Sequence, residues 1–361
     1  MHSDLSHPMQ RYWNLAAAPI QATALDAALD LGVLDHLTEP ASAAEVAGAL
    51  GLRAPQTAHL LDMLWSLDLL HRMEGDPPRY LCQPHARQHF CQGQPGYCAD
   101  AWRYRRRSLA HFSEQLAGLL SLDGPAPDPY VQTNAKGWAD AARVQIGQEQ
   151  RAVAVAAARV AIGCVPGAGQ ARRILDLGGG PGLIGIDLVR GNPEATGVVF
   201  DWPETAAVAQ ENIVQAGLAG RMTVLGGDLA RDPIGAGYDL IWCSSVLHFV
   251  PDAAAALRKM HEALAPGGLL VMAHAEIAAD ACAAARVLPF YLPMLLLGRR
   301  VTRQGELQRM LQDCGYAEVR GFDSGRFPMA PLHVLAARKP AQRNEAGAFG
   351  LKPRDLCGVT K

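Results

Sequence analysis

Arg173-Ile-Leu-Asp-Leu-Gly-Gly-Gly-Pro-Gly-Leu-Ile-Gly-Ile-Asp-Leu-Val189 is an apolar run that stops at a glycine cluster and passes at once into an amphipathic pattern. It reads as strand, tight turn and helix. Glycines take positive φ and let a ligand approach the main chain, and free N–H groups at a helix start attract polar or anionic groups. A nucleotide-like ligand is therefore expected here. The string Gly180-Pro-Gly-Leu-Ile-Gly185 matches the dinucleotide fingerprint G-x-G-x-x-G. Three features point elsewhere: Asp176 lies inside the strand, the glycines begin earlier at Gly178, and the next strand ends in Val198-Val-Phe-Asp-Trp-Pro203.

Outward from this turn, strand-like runs at Ile174–Leu177, Gly197–Phe200, Met222–Leu225, Tyr238–Cys243 and Leu269–Ala273 alternate with helical stretches. This rhythm predicts an α/β fold, a doubly wound, mainly parallel Rossmann-like sheet with ligands at the carboxyl ends of its strands. Before the linker Pro166-Gly-Ala-Gly169 the texture is helical. Ser42 with Glu45 forms a capping box that opens a short helix, a second helix covers Ala54 to Leu70, and a hairpin passes through Gly75-Asp-Pro-Pro78 to Tyr80-Leu-Cys82. That order predicts a winged helix. A loop follows at Asp123-Gly-Pro-Ala-Pro-Asp-Pro129, then a helical pass from Trp138 to Ile162. The expected division is a helical winged-helix dimerisation domain over 1–165, a ligand-binding domain over 166–340 and a disordered tail over 341–361.

Composition narrows the function. The chain has 361 residues, 49% of them hydrophobic, and a net charge of −2. A near-neutral balance gives no global reason to bind nucleic acid or anionic membranes. The second helix of the winged helix has no Lys or Arg between Ala54 and Leu70, while Asp62 and Asp68 would face phosphates, which argues for dimerisation over DNA reading. The run Arg103-Tyr-Arg-Arg-Arg107 is expected to be a solvated helix face. Eight cysteines without a CxxC pair suggest reduced thiols in a cytoplasmic protein. The first residues lack the basic and apolar regions of a secretory signal. Val287 to Gly298 is apolar but shorter than the roughly 20 residues of a membrane span, and its two prolines suit a segment packed over a pocket.

The chemistry-bearing residues follow the strands in order. Asp201 stands where a carboxylate accepts from a ribose diol, and Asp228 stands where it accepts from the adenine amine, with Trp202 and Leu229 offering apolar faces to the ring. The string Asp176-Leu-Gly-Gly-Gly-Pro-Gly182 resembles the first motif of class I S-adenosylmethionine (SAM) methyltransferases. The whole succession of pieces, from roughly Ala16 to Lys339, resembles the bacterial and plant small-molecule O-methyltransferases, which carry a winged-helix dimerisation domain ahead of the SAM domain. The resemblance implies SAM as cofactor, S-adenosylhomocysteine as product, a homodimer and a small-molecule acceptor. It implies that Gly178 and its neighbours Asp176, Gly179 and Gly180 hold the methionine part, Asp201 the ribose, and Gly227, Asp228 and Leu229 the adenine, with Trp202 against the ring. Cys243 and Ser244 lie alongside at the end of the fourth strand. Ser244 stands at a basic position of the plant members, so only its backbone contribution carries over.

His248, in Val-Leu-His-Phe, matches the family's general base, the imidazole that takes the proton of a substrate hydroxyl as the methyl arrives. Trp138, Arg143, Phe290, Tyr291 and Met294 are acceptor-site candidates by location. The chain departs from the family where Phe249 stands for Asp, and where His274 and Arg300 stand for Glu. Glu276 could replace one missing carboxylate, sharing a strand face with His274. His248 and His274 could instead form a two-histidine metal site, and Arg300 could favour a carboxylate acceptor. The expected activity is methyl transfer to an aromatic hydroxyl in secondary metabolism, with no metal. The alternatives are carbon or carboxylate methylation, a nicotinamide oxidoreductase and a SAM-sensing winged-helix regulator.

Overall fold

The computed structural model describes residues 7–121, 135–329 and 331–341. The loop expected at 123–129 and nearly all of the expected tail lie outside them. The chain opens with the helix α1 (Gln10–Asp30), followed by β1 (Ala41–Ser42), α2 (Ala43–Leu50), α3 (Ala54–Ser66), β2 (Leu70–Met73) and β3 (Arg79–Cys82). The three strands form a small sheet in the order β1-β3-β2, the wing beside α2 and α3. The capping box is present: Ser42 Oγ accepts from Glu45 N at 3.3 Å, and Ser42 N donates to Glu45 Oε2 at 2.6 Å. Asp62, on α3, accepts from Tyr80 Oη of the wing at 2.8 Å, so its charge serves the fold.

Next come α4 (Pro84–Phe90), the long α5 (Ala99–Leu120), α6 (Ala135–Ala141), a single turn α7 (Gly147–Glu149) and α8 (Val155–Gly163). Two π-helical turns, at Ala142–Ile146 and Gln150–Ala154, join α6, α7 and α8 into one run. The basic segment on α5 is not a solvated face. Arg103 pairs with Asp30 at 3.0 Å and Arg106 with Asp26 at 2.7 Å, both on α1. Arg105 makes a two-pronged contact with Glu149, Nη2 donating to Oε2 at 2.6 Å. The partners lie 44 or more positions away in the chain, where no local pattern announces them.

The main sheet has seven strands, β4 (Arg173–Leu177), β5 (Thr196–Asp201), β6 (Met222–Gly226), β7 (Tyr238–Ser244), β8 (Leu264–His274), β9 (Ala317–Ser324) and β10 (Leu332–Arg338). Their order is β6-β5-β4-β7-β8-β10-β9, with β4 to β8 parallel. Helices α9 (Leu183–Gly191), α10 (Pro203–Gln215) and α11 (Ala253–Ala263) cross between the parallel strands, and α12 (Ala281–Leu296) and α13 (Glu306–Asp313) follow β8. Strand order turns back between β4 and β7, the crevice where such sheets place ligands. The antiparallel pair β9 and β10 extends the sheet beyond the five strands read from sequence. β9 is an edge strand, mostly exposed, so it carries polar residues in place of an apolar run. The apolar segment from Val287 is the second half of α12, whose helix continues through Pro289 and Pro293.

Breaking the Arg105–Glu149 pair leaves a buried carboxylate without its cation. Arg105→Ala should therefore cost on the order of 2–3 kcal/mol, below the full price of a deeply buried pair because the guanidinium is partly solvated. Urea unfolding reads this as a lower midpoint at unchanged slope; a shift within error would show that the pair is dispensable.

Candidate functional site

The turn after β4 is built on a buried carboxyl. Asp176, 2% exposed, accepts from Gly185 N in the first turn of α9 at 2.8 Å. Burial pushes it up to about 7; the Gly185 bond opposes this, and the Asp201 charge adds to it. A Cβ on Gly179 would come within 2.8 Å of the Asp176 carboxyl, and one on Gly185 within 2.9 Å. Gly178, Gly180 and Gly182 all have positive φ. Asp176 thus supports the turn from beneath and cannot itself line the crevice.

Asp201 ends β5 and holds the turn from the other side. Its Oδ2 accepts from Gly180 N and its Oδ1 from Trp202 N, each at 2.8 Å. Burial raises it to about 6, against the pull of those two N–H groups. Gln150, from the second π turn, was not found by sequence reasoning. It donates to Gly179 O at 3.1 Å and accepts from Leu183 N at 3.0 Å, stitching the helical run to the glycine turn. Nothing in its local sequence signals this tertiary bond.

Beyond β6, Gly227 N donates to Asp201 O at 2.9 Å, which sets the two strand ends side by side. Asp228 Oδ1 accepts from Ala230 N at 2.8 Å, as in an Asx turn, while its Oδ2 meets only the exposed Arg231, at 3.7 Å. Trp202 is half-buried at the start of α10, and Leu229 is buried. Cys243 is wholly buried in β7, with its thiol pKa raised by burial, so only its main chain can serve a ligand. Ser244 ends that strand, half-buried.

His248 sits on a 3-10 turn (Leu247–Phe249) just past β7. Ser245 starts the exit with a left-handed φ of 56°, a strained conformation for a residue with a side chain. The turn lies against the glycine loop: a Cβ on Gly178 would fall 2.3 Å from Val246 Cγ2. His248 is 7% exposed, and its ring centroid lies 4.2 Å from Phe249 and 5.7 Å from Tyr291. Trp138 meets Phe249 edge-on at 5.0 Å, and the Arg299 guanidinium lies 4.9 Å over the same ring. Phe290 and Met294, partly buried on α12, pack against the same core as Tyr291. Phe249 and Arg299 are further members of this aromatic cluster that the sequence does not single out, since Phe249 shows there only as a departure from Asp.

Burial takes the His248 imidazole down to about 3, with His274 and Arg299 adding to the shift. His274, also held to about 3 by burial, accepts at Nε2 from both Val246 N and Leu247 N at 3.1 Å. That nitrogen has no lone pair left for a metal, which removes the two-histidine metal site. Glu276 faces elsewhere, accepting from Gly305 N and Leu307 N at the start of α13, because its strand has already ended at His274. Arg143 is a correction as well: it is exposed and paired with Glu211 on α10 at 2.7 Å. Arg300 is exposed and ion-paired with Glu306, so its charge is already answered.

A parallel sheet with a glycine turn, an acid ending the next strand and a buried imidazole across the crevice defines a nucleotide-cofactor enzyme of the methyltransferase type. Residues 147–317 match the O-methyltransferase domain and residues 13–89 the O-methyltransferase dimerisation domain. Similar proteins include the N,N-dimethyltransferase OxyT of Streptomyces rimosus, 32% identical over 276 residues, covering 72% of this chain and 76% of that one. Another is the 3-hydroxy-5-methyl-1-naphthoate 3-O-methyltransferase of Streptomyces sahachiroi, 28% identical, covering 85% and 89%. In fold, human N-acetylserotonin methyltransferase in complex with SAM matches at TM-score 0.72 and 19% identity, over 94% of this chain and all of that one. The chain belongs to the O-methyltransferase family and is a SAM-dependent methyltransferase. The crevice fits the cofactor: the turn presents bare main chain, and the Asp201 carboxyl stands at its edge.

Proposed function

We propose that the enzyme acts as a homodimer and methylates a hydroxyl of a small aromatic metabolite, in secondary metabolism. The observation that carries this reading is His248, a buried neutral imidazole packed against the rings of Phe249 and Tyr291, with Trp138 edge-on to Phe249, on a turn that lies against the glycine loop. Flat aromatic acceptors gain edge-to-face and offset contacts against such a cluster of rings. Bound SAM supplies an electrophilic methyl on a sulfonium. The turn Gly178–Gly182 holds its methionine part, Asp201 the ribose, and Asp228 Oδ2 with Trp202 and Leu229 the adenine. His248 takes the hydroxyl proton on a ring nitrogen as the oxygen attacks the methyl. Tyr291 Oη, buried beside the Ser245 side chain, offers a hydrogen bond to a second oxygen on the acceptor.

Dimerisation is supported by the match at 13–89 and by apolar side chains left exposed along α1, with Trp13 at 55%, Leu15 at 70% and Ile20 at 64%. Light scattering at micromolar concentration should give twice the chain mass, and Trp13→Glu with Ile20→Glu should halve it. A wild-type monomer contradicts the proposal.

With Asp201 titrating near 6, its carboxylate is lost as an acceptor below that pH. Affinity for S-adenosylhomocysteine, measured by calorimetry, should fall about tenfold between pH 7 and pH 5. Asp201→Asn should bind more weakly at pH 7 and show little pH dependence; a pH-independent wild type refutes the assignment.

For the base, His248→Ala should lower turnover roughly 10²- to 10⁴-fold at saturating SAM while SAM affinity stays near wild type. A depressed imidazole pKa keeps the ring in its proton-accepting form throughout pH 5–8, so wild-type kcat should show no acid limb near 6.5. Turnover that survives the substitution, or a limb at 6.5, removes His248 from this role. Mass spectrometry of products from a panel of phenols, amines and aromatic carboxylates identifies the methylated atom.

A further inference from the structure

We propose that His274 is a positioning residue for His248, acting as a neutral imidazole fixed in one tautomer that anchors the turn on which the base rides. The inference rests on the reading of His248 as base. Two main-chain donors, Val246 N and Leu247 N, converge on His274 Nε2 at 3.1 Å each. A nitrogen that accepts hydrogen bonds is unprotonated, so the neutral ring must carry its proton on Nδ1. Protonating Nε2 would set a third N–H against two others; the turn itself therefore excludes the imidazolium.

The anchor is rigid because of where it sits. His274 is the last residue of β8, 3% exposed, and pairs across the sheet with His333 of β10. Its neighbour Ala273 pairs with Ser244 of β7 and accepts from Ser245 N at 3.0 Å, at the left-handed exit of that strand. The strained exit, the two anchored N–H groups and the base thus occupy five consecutive residues, 244–248. A glutamate, expected here from the family resemblance, would bring a negative charge toward His248; His274 brings none. Among the described residues, the ionisable groups facing His248 are then His274 from β8, Arg299 after α12 and Tyr291 from α12, all neutral or cationic. His274 Nδ1, buried without a protein partner, leaves one donor beside a cavity of about 20 Å³ lined by His248, Arg300 and Thr302, room for a single water.

The test uses three substitutions at His274, each in the wild-type and the His248→Ala backgrounds, with kcat, KM and pH profile read at saturating SAM. His274→Gln keeps an acceptor for both N–H groups and a donor at the far side; it should retain kcat within about threefold of wild type and the same pH profile. His274→Leu removes the acceptor and should lower kcat about 10- to 100-fold with KM and SAM affinity nearly unchanged. His274→Glu keeps the acceptor and adds a charge that favours the imidazolium, so an acid limb should enter the pH 5–7 range. In the His248→Ala background all three should have little further effect. If His274→Leu costs the same in both backgrounds, or if Gln is as impaired as Leu in folded protein, His274 does not act through the base and the proposal falls alone. If His248→Ala itself leaves turnover intact, the reading of the base falls and this inference with it.

Discussion

The bond from Gly185 N to the buried Asp176 carboxyl fixes the one corner on which the rest of the crevice is built. It ties the end of β4 to the first turn of α9 and can do so only because Gly179 and Gly185 carry no side chain over the carboxyl. With that corner set, Gly180 N is delivered to Asp201, the strand ends of β5 and β6 join through Gly227 N, and Gln150 reaches the turn from the helical side. The Gly178 turn in turn fixes how closely Val246, and hence His248, can approach. Crevice geometry is therefore a packing consequence of two short residues as much as of any polar group.

Stability should respond to acid through opposing terms. Asp176 and Asp201 are raised, to about 7 and about 6, so the folded state holds protons that the unfolded chain has released above about 3.8; their contribution favours the fold at low pH and is lost as pH rises through those values. His248 and His274 are lowered to about 3, so the unfolded chain binds protons that the folded state refuses; their contribution is present above 6.5 and is lost as pH falls toward 3. Between about 4 and 6 the two pairs pull in opposite directions, and the crevice is buffered against a steep acid transition of its own.

The legible parts of the sequence were those whose causes are local. A capping box, a glycine turn after an apolar strand and an acid ending the next strand all announce themselves within a few residues, and the parallel strands read as apolar runs because both of their faces are buried. The unread parts have distant causes. Arg103, Arg105 and Arg106 look like a solvated stripe until Asp30, Glu149 and Asp26 arrive from other helices. β9 carries no apolar run because it is an edge, and Arg143 and Arg300 were placed by proximity in the chain while their partners, Glu211 and Glu306, decide where they point. Phe249 reads in the sequence as the loss of an acid, yet its ring meets Trp138, His248 and Arg299.

An imidazole held near 3 is a weak base, and that weakness suits the proposed reaction. Among the described residues the charges that act on His248 are His274 and Arg299, so in the proposed reaction a proton taken from a phenol would be held chiefly by the oxyanion it leaves behind. The pair is stable only while that oxygen keeps its charge. Once the oxygen carried the methyl its negative charge would be gone, and the imidazolium, buried beside Arg299, would lose its proton to water. On the proposed reading, a histidine at 274, where the resemblance leads one to expect a glutamate, would give a base that binds its proton during transfer and releases it afterwards, so that each turnover ends with His248 again neutral.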